Sequence, residues 1–110
     1  MVAAKHISEA TLVRKGMQRI KQQWPDAYII KIADRMTRGI PDVLAFVVHE
    51  KTMIVLALEF KTPIGRLTGI QIQTMQRLET LGHKSEFGML VARVIRSMED
   101  VEQLINDITN

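Results

Sequence analysis

The sequence predicts an α/β fold in which helices flank a mixed β-sheet, in the order αβββαβα. Two observations predict it. Residues 42–48 (DVLAFVV) and 53–61 (MIVLALEFK) are two almost continuously apolar runs joined by the short polar stretch HEKT. Such runs suit central strands covered on both faces. Around them, three segments repeat apolar residues at helical spacing, each with its own start signal.

The first helix spans about residues 8–24. Ser8 is a natural N-cap, with Glu9 in the first turn. Val13, Met17, Ile20 and Trp24 form its apolar stripe, and Pro25 ends it. Residues 27–33 (AYIIKIA) form a short β-prone run, and residues 34–39 (DRMTRG) a polar break. The paired strands 42–48 and 53–61 follow. Pro63 and Gly65 then interrupt the chain. Thr68 caps a second helix reaching about Leu81, with Ile72, Met75 and Leu78 facing inward and Gly82 as its terminating residue. Residues 87–92 (FGMLVA) make a fourth strand. Ser97, followed by Glu99, Asp100 and Glu102, opens a last helix whose inner face is Val101, Leu104, Ile105 and Ile108.

The 110 residues fit one domain, 1–110, with no repeat or linker. There is no cysteine, which excludes disulfides and thiolate zinc sites, and the three histidines are too scattered for a histidine-based metal site. No apolar run is long enough to span a membrane, and Lys5, His6 and Glu9 interrupt any N-terminal signal core, so a cytoplasmic protein is expected. The net charge of +3 permits a polyanionic partner without requiring one.

The chemistry centres on the paired strands. If their turn lies in HEKT, opposed positions sum to about 101 and Asp42 faces Glu59. Strand alternation then puts Lys61 on the same face. Two carboxylates side by side repel, and a divalent cation relieves that repulsion. Oxygen ligands favour magnesium or manganese. Such a cation lowers the pKa of an attacking water, and an ammonium neutralises charge on a phosphate. The bland reading makes Asp42 a turn residue and Glu59–Lys61 an ordinary edge pair. Against it, Glu59 interrupts a strongly apolar strand, where an unpartnered charge is costly.

Further residues have two readings each. Gln71 falls inside the inward stripe of the second helix, and either reaches the site or is a satisfied first-turn amide. Glu9 is either a further metal ligand or an acid complementing the helix dipole. Arg35, Arg38 and Arg66 either contact phosphates or belong to solvated loops. Gly39 serves a tight turn close to the site. His49 reads as a surface-loop residue. Arg93 and Arg96 read as exposed, and their region and the terminal elements are both candidates for a dimer surface.

Gly39-Ile40-Pro41-Asp42 followed by Glu59-Phe60-Lys61 resembles the PD-(D/E)xK nuclease signature. Gly65-Arg66-Leu67-Thr68-Gly69-Ile70-Gln71, then Gly82, is similar to the VRR-NUC branch, whose pattern runs G-x-L-[ST]-x-x-Q. The closing VARVIRSMEDVEQLI resembles that branch too. The resemblance implies a restriction-endonuclease-like fold. It also implies a Mg2+- or Mn2+-dependent endonuclease. Asp42, Glu59 and the backbone carbonyl of Phe60 would be metal ligands, Glu9 would assist, Lys61 would be the catalytic lysine, and Gln71 a supporting site residue. Stand-alone members, often from phages or bacteria, look like homodimers that cut Holliday junctions. The implied partner is therefore branched DNA, a four-way junction or a flap, and a dimer would supply two cuts at fixed spacing. The alternatives are a monomeric flap endonuclease or nickase, a non-catalytic nucleic-acid-binding module on the same fold, and a nuclease subunit acting through a partner protein.

Overall fold

A computed structural model describes residues 7–32, 39–84 and 88–110. The elements are α1 (Glu9–Gln23), β1 (Tyr28–Lys31), β2 (Val43–His49), β3 (Thr52–Phe60), α2 (Gly69–Lys84), β4 (Met89–Ile95) and α3 (Met98–Thr109). This is the expected order and the expected α/β class. One four-stranded sheet runs β1-β2-β3-β4. β2 is antiparallel to both β1 and β3, and β3 and β4 are parallel, with α2 as the crossover.

The hairpin register is the predicted one at every rung, from Val43 opposite Leu58 to His49 opposite Thr52. It is set by a two-residue turn in which Glu50 and Lys51 both adopt left-handed backbone (φ 49° and 68°). Two positive φ values match the turn twist to the strand twist.

Alternation along β2 and β3 divides the core. Val43, Ala45, Val47, Ile54, Leu56, Leu58 and Phe60 face one layer. There they meet Leu12, Val13 and Ile20 of α1 and Val101, Leu104 and Ile105 of α3. Ser8 caps α1 through Thr11 N–H, and Ser97 caps α3 through Asp100 N–H. Gly16 lets α1 sit on Phe60, because a Cβ there would lie 2.9 Å from the ring. On the opposite face Ala57 and Ala92 pack under Met75, with Leu44, Leu78, Leu90 and Val94 around them.

Three expectations need correction. The two central strands are not covered on both faces: Val48 and Met53 remain 55% and 50% exposed, as does Tyr28 of β1 on the same side, at 66%. A helix is about 10 Å across and strands lie about 4.8 Å apart, so one helix covers about two strands. The α1/α3 face has two helices; the other face has α2 alone, packed over β4. Second, Gly82 does not terminate α2, which continues to Lys84. The inward stripe is Gln71, Met75, Leu78 and Gly82, and a Cβ at Gly82 would fall 2.1 Å from the Leu90 carbonyl oxygen. Gly82 is therefore the close-approach point of helix and sheet, while Ile72 stays 43% exposed outside the stripe. Third, Arg93 and Arg96 are engaged within the chain. Arg93 pairs with Asp107 at 2.8 Å, and Arg96 Nη1 donates to the carbonyls of Thr62 (2.8 Å) and Gly65 (2.5 Å). Among the described residues no helix is long and apolar enough to cross a membrane.

Candidate active site

The site forms where β2 begins and β3 ends. Asp42 lies one residue before β2, where extending the ladder places it opposite Glu59. Its Oδ2 accepts a hydrogen bond from the Phe60 N–H at 2.8 Å, and its carbonyl accepts one from the Ile32 N–H at 2.7 Å. Both ends of the residue are thus tied to neighbouring strands, which fixes the carboxylate against the end of β3. Phe60 turns its ring into the α1/α3 core and is fully buried. That leaves Glu59 and Lys61 on the α2 side by alternation.

Glu59 is the one buried charged residue among the described residues, at 3% exposed. Its Oε1 accepts a hydrogen bond from Gln71 Nε2 at 2.9 Å. Its pKa rises from the ordinary 4.5 to about 7. Burial is the main cause, followed by the Asp42 charge; Lys61 and a hydrogen bond from the Asp42 backbone oppose the rise, and Glu9 adds to it. Asp42, Lys61 and Glu9 are thus close enough for their charges to act on Glu59. Glu9 itself is exposed, in the first turn of α1. Among the described residues no group of three His, Asp or Glu side chains converges at metal-holding distance. Glu9 is accordingly a neighbour of the Asp42–Glu59 pair, not the third member of a preformed cluster.

Gln71 resolves its two sequence readings by satisfying both. Its Oε1 accepts from the Thr68 N–H at 2.9 Å, as a first-turn cap, while its Nε2 reaches Glu59. Lys61 is half-buried, with its N–H bonded to the Ile95 carbonyl at 3.0 Å. After it, Thr62–Gly65 forms a turn closed by the Gly65 N–H on the Thr62 carbonyl and gripped by Arg96. Sequence reasoning missed this loop-holding role of Arg96, and no local pattern announces it. Gly39, at φ +78°, lies against Ile70 at the start of α2, where a Cβ would lie 2.3 Å from the Ile70 Cγ2. The strand-entry turn and α2 are therefore in contact beside the site. Arg66 is exposed on the loop between Lys61 and α2. Arg35 and Arg38 lie outside the described residues. His49 is half-buried, its ring edge-on to Trp24 at 6.3 Å, and is a packing residue.

A solved structure described as a VRR_NUC domain is similar to this chain over 91% of its length and 97% of the other chain, with a TM-score of 0.63 at 17% sequence identity. That likeness shows the fold: a restriction-endonuclease-like sandwich of the VRR_NUC type. No protein-family model matches the sequence, and no curated protein sequence matches it.

Proposed function

We propose that this protein is a divalent-metal-dependent endonuclease that hydrolyses phosphodiester bonds in branched DNA. One observation carries the reading: Glu59, a carboxylate buried in an apolar strand, sits beside a second carboxylate, Asp42, and two residues before Lys61. A carboxylate buried beside a second carboxylate is unfavourable alone and is satisfied by a cation. The donor set is all oxygen, which suits Mg2+ or Mn2+. Asp42, Glu59 and the Phe60 backbone carbonyl would hold the ion, with Glu9 assisting. When bound, the ion supplies Lewis acidity toward a phosphate oxygen and lowers the pKa of the attacking water. Lys61 neutralises charge on the phosphate as the bond breaks. Gln71 holds Glu59. Arg66 beside the site, with Arg35 and Arg38, contacts the DNA backbone.

We place the substrate among four-way junctions and the active form as a homodimer. The bare half of the sheet supports this: Tyr28, Val48 and Met53 make an exposed apolar patch, and patches of that kind mark protein contacts. Those positions carry no charge, so the patch suits a second copy better than a phosphate backbone. A two-fold pair matches the approximate symmetry of a junction.

The test is cleavage of synthetic four-way junctions, flaps and plain duplex, with Mg2+, with Mn2+ and with EDTA. Metal-dependent cutting of the junction is expected, with a loss of about 100-fold or more for Lys61→Ala. Full activity of that variant, or cutting that persists in EDTA, would overturn the mechanism. Preferential cutting of flaps by a monomer would replace the junction assignment.

A further inference from the structure

The first turn of α2 contains a reciprocal pair of bonds. Thr68 Oγ1 accepts from the Gln71 N–H at 3.1 Å, and Gln71 Oε1 accepts from the Thr68 N–H at 2.9 Å. This is a capping box, which satisfies two of the free N–H groups at a helix start. Here it does something more. A glutamine amide has one accepting end and one donating end, and on an open surface the two can exchange by rotation. At Gln71 they cannot. The Thr68 N–H only donates, so it requires the oxygen. The Glu59 carboxylate, when ionised, only accepts, so it requires the NH2, which it meets at 2.9 Å. Turning the amide over would set donor against donor and acceptor against acceptor at once. The two contacts select the same orientation from opposite sides.

We propose that Thr68 is a positioning residue for the active site: its N–H holds the Gln71 amide oxygen and its hydroxyl holds the Gln71 backbone N–H, so that the amide meets Glu59 at one oxygen, in one rotamer, before any cation arrives. The T-x-x-Q spacing is then a single device with two outputs, a capped helix and an oriented metal ligand. The lock extends to the backbone, because the same turn of α2 rests on Gly39 through Ile70. A ligand fixed in this way needs no reordering when it coordinates, which is how residues behind a metal ligand raise its affinity. This proposal rests on the nuclease reading for what the positioning serves, but the lock itself is testable without DNA or metal.

The first measurement is the side-chain amide spectrum of the metal-free protein by 15N NMR. In the wild type the two Gln71 Nε2 protons should be widely separated, since one is bonded to a carboxylate. Thr68→Ala keeps the N–H but loses the hydroxyl that fixes the Gln71 backbone against it, so the separation should narrow toward the value of a free glutamine, and Thr68→Ser should preserve it. The second measurement is Mn2+ binding followed by electron paramagnetic resonance. Thr68→Ala should weaken binding about 10-fold and Thr68→Ser should restore it. In a Gln71→Met background the same Thr68→Ala change should have no further effect on Mn2+ affinity. Circular dichroism checks that each variant is folded. An unchanged Gln71 amide pair in Thr68→Ala would overturn the lock. Equal loss of Mn2+ affinity from Thr68→Ala in both backgrounds would show that Thr68 acts as a helix cap alone, and would overturn the positioning role. If the wild type failed to bind Mn2+ at all, the nuclease reading would fall, while the amide spectrum would still decide the lock.

Discussion

Replacing Glu59 by Gln should remove a pH-dependent penalty on folding that can be worked out from the site. In the metal-free protein the Glu59 pKa stands at about 7 against 4.5 in the unfolded chain. A raised carboxylate pKa means the folded state holds the proton more tightly. The folded state therefore has its full advantage below pH 4.5 and loses it as pH rises through 7. Each pKa unit is worth about 1.4 kcal/mol, so the complete penalty is about 3 kcal/mol, of which about 2.5 kcal/mol develops between about pH 5 and pH 8. Glutamine keeps the shape and still accepts from Gln71 Nε2, but it carries no charge to desolvate. The assay is urea unfolding of both proteins in EDTA at several pH values. The stability of Glu59→Gln relative to wild type should grow by about 2–3 kcal/mol from acid to mild alkali. Excess Mg2+ should stabilise the wild type more than the variant, because the cation replaces the missing counter-charge. A difference that stays constant with pH would refute the claim that burial beside Asp42 makes Glu59 a strained carboxylate.

Other outcomes test the frame around the site. Gly82→Ala should destabilise the fold by about 1–3 kcal/mol despite the higher helix propensity of alanine, since its Cβ would collide with the Leu90 carbonyl; chemical denaturation measures this. Val48→Lys with Met53→Lys should shift sedimentation toward a monomer without loss of stability, because both side chains are at least half exposed in the single chain. A dimer that survives both changes would assign the second copy to another surface.

Much of this was legible in the sequence because it depends on short-range rules. Ser8 and Ser97 cap their helices as their residue types predict, and Pro25 ends α1. The HEKT turn sets the hairpin register, and register alone aligns Asp42 with Glu59 and Lys61. The interrupted apolar pattern of β3 marked Glu59 as a residue needing a partner. The readings that failed concern how elements stack. A continuous apolar strand reads as covered on both faces, yet Val48 and Met53 are not, because the number of helices per face is a property of the whole chain. Gly82 looks like a helix terminator by type, yet its use is to bring α2 against β4, a contact between residues on different elements.

The Asp42–Glu59–Lys61 alignment was determined by sequence alone, through the two-residue period of a strand and the length of one turn. What only the tertiary structure decided is the company those residues keep. Gln71 reaches Glu59 because α2 starts over the end of β3, Glu9 stands nearby because α1 starts at that edge, and Arg96 holds the loop after Lys61 from the end of β4. Chain pattern specifies which residues share a face. Packing in three dimensions specifies which faces meet, and the raised pKa of Glu59 follows from that second step because burial is a sum over every element around it.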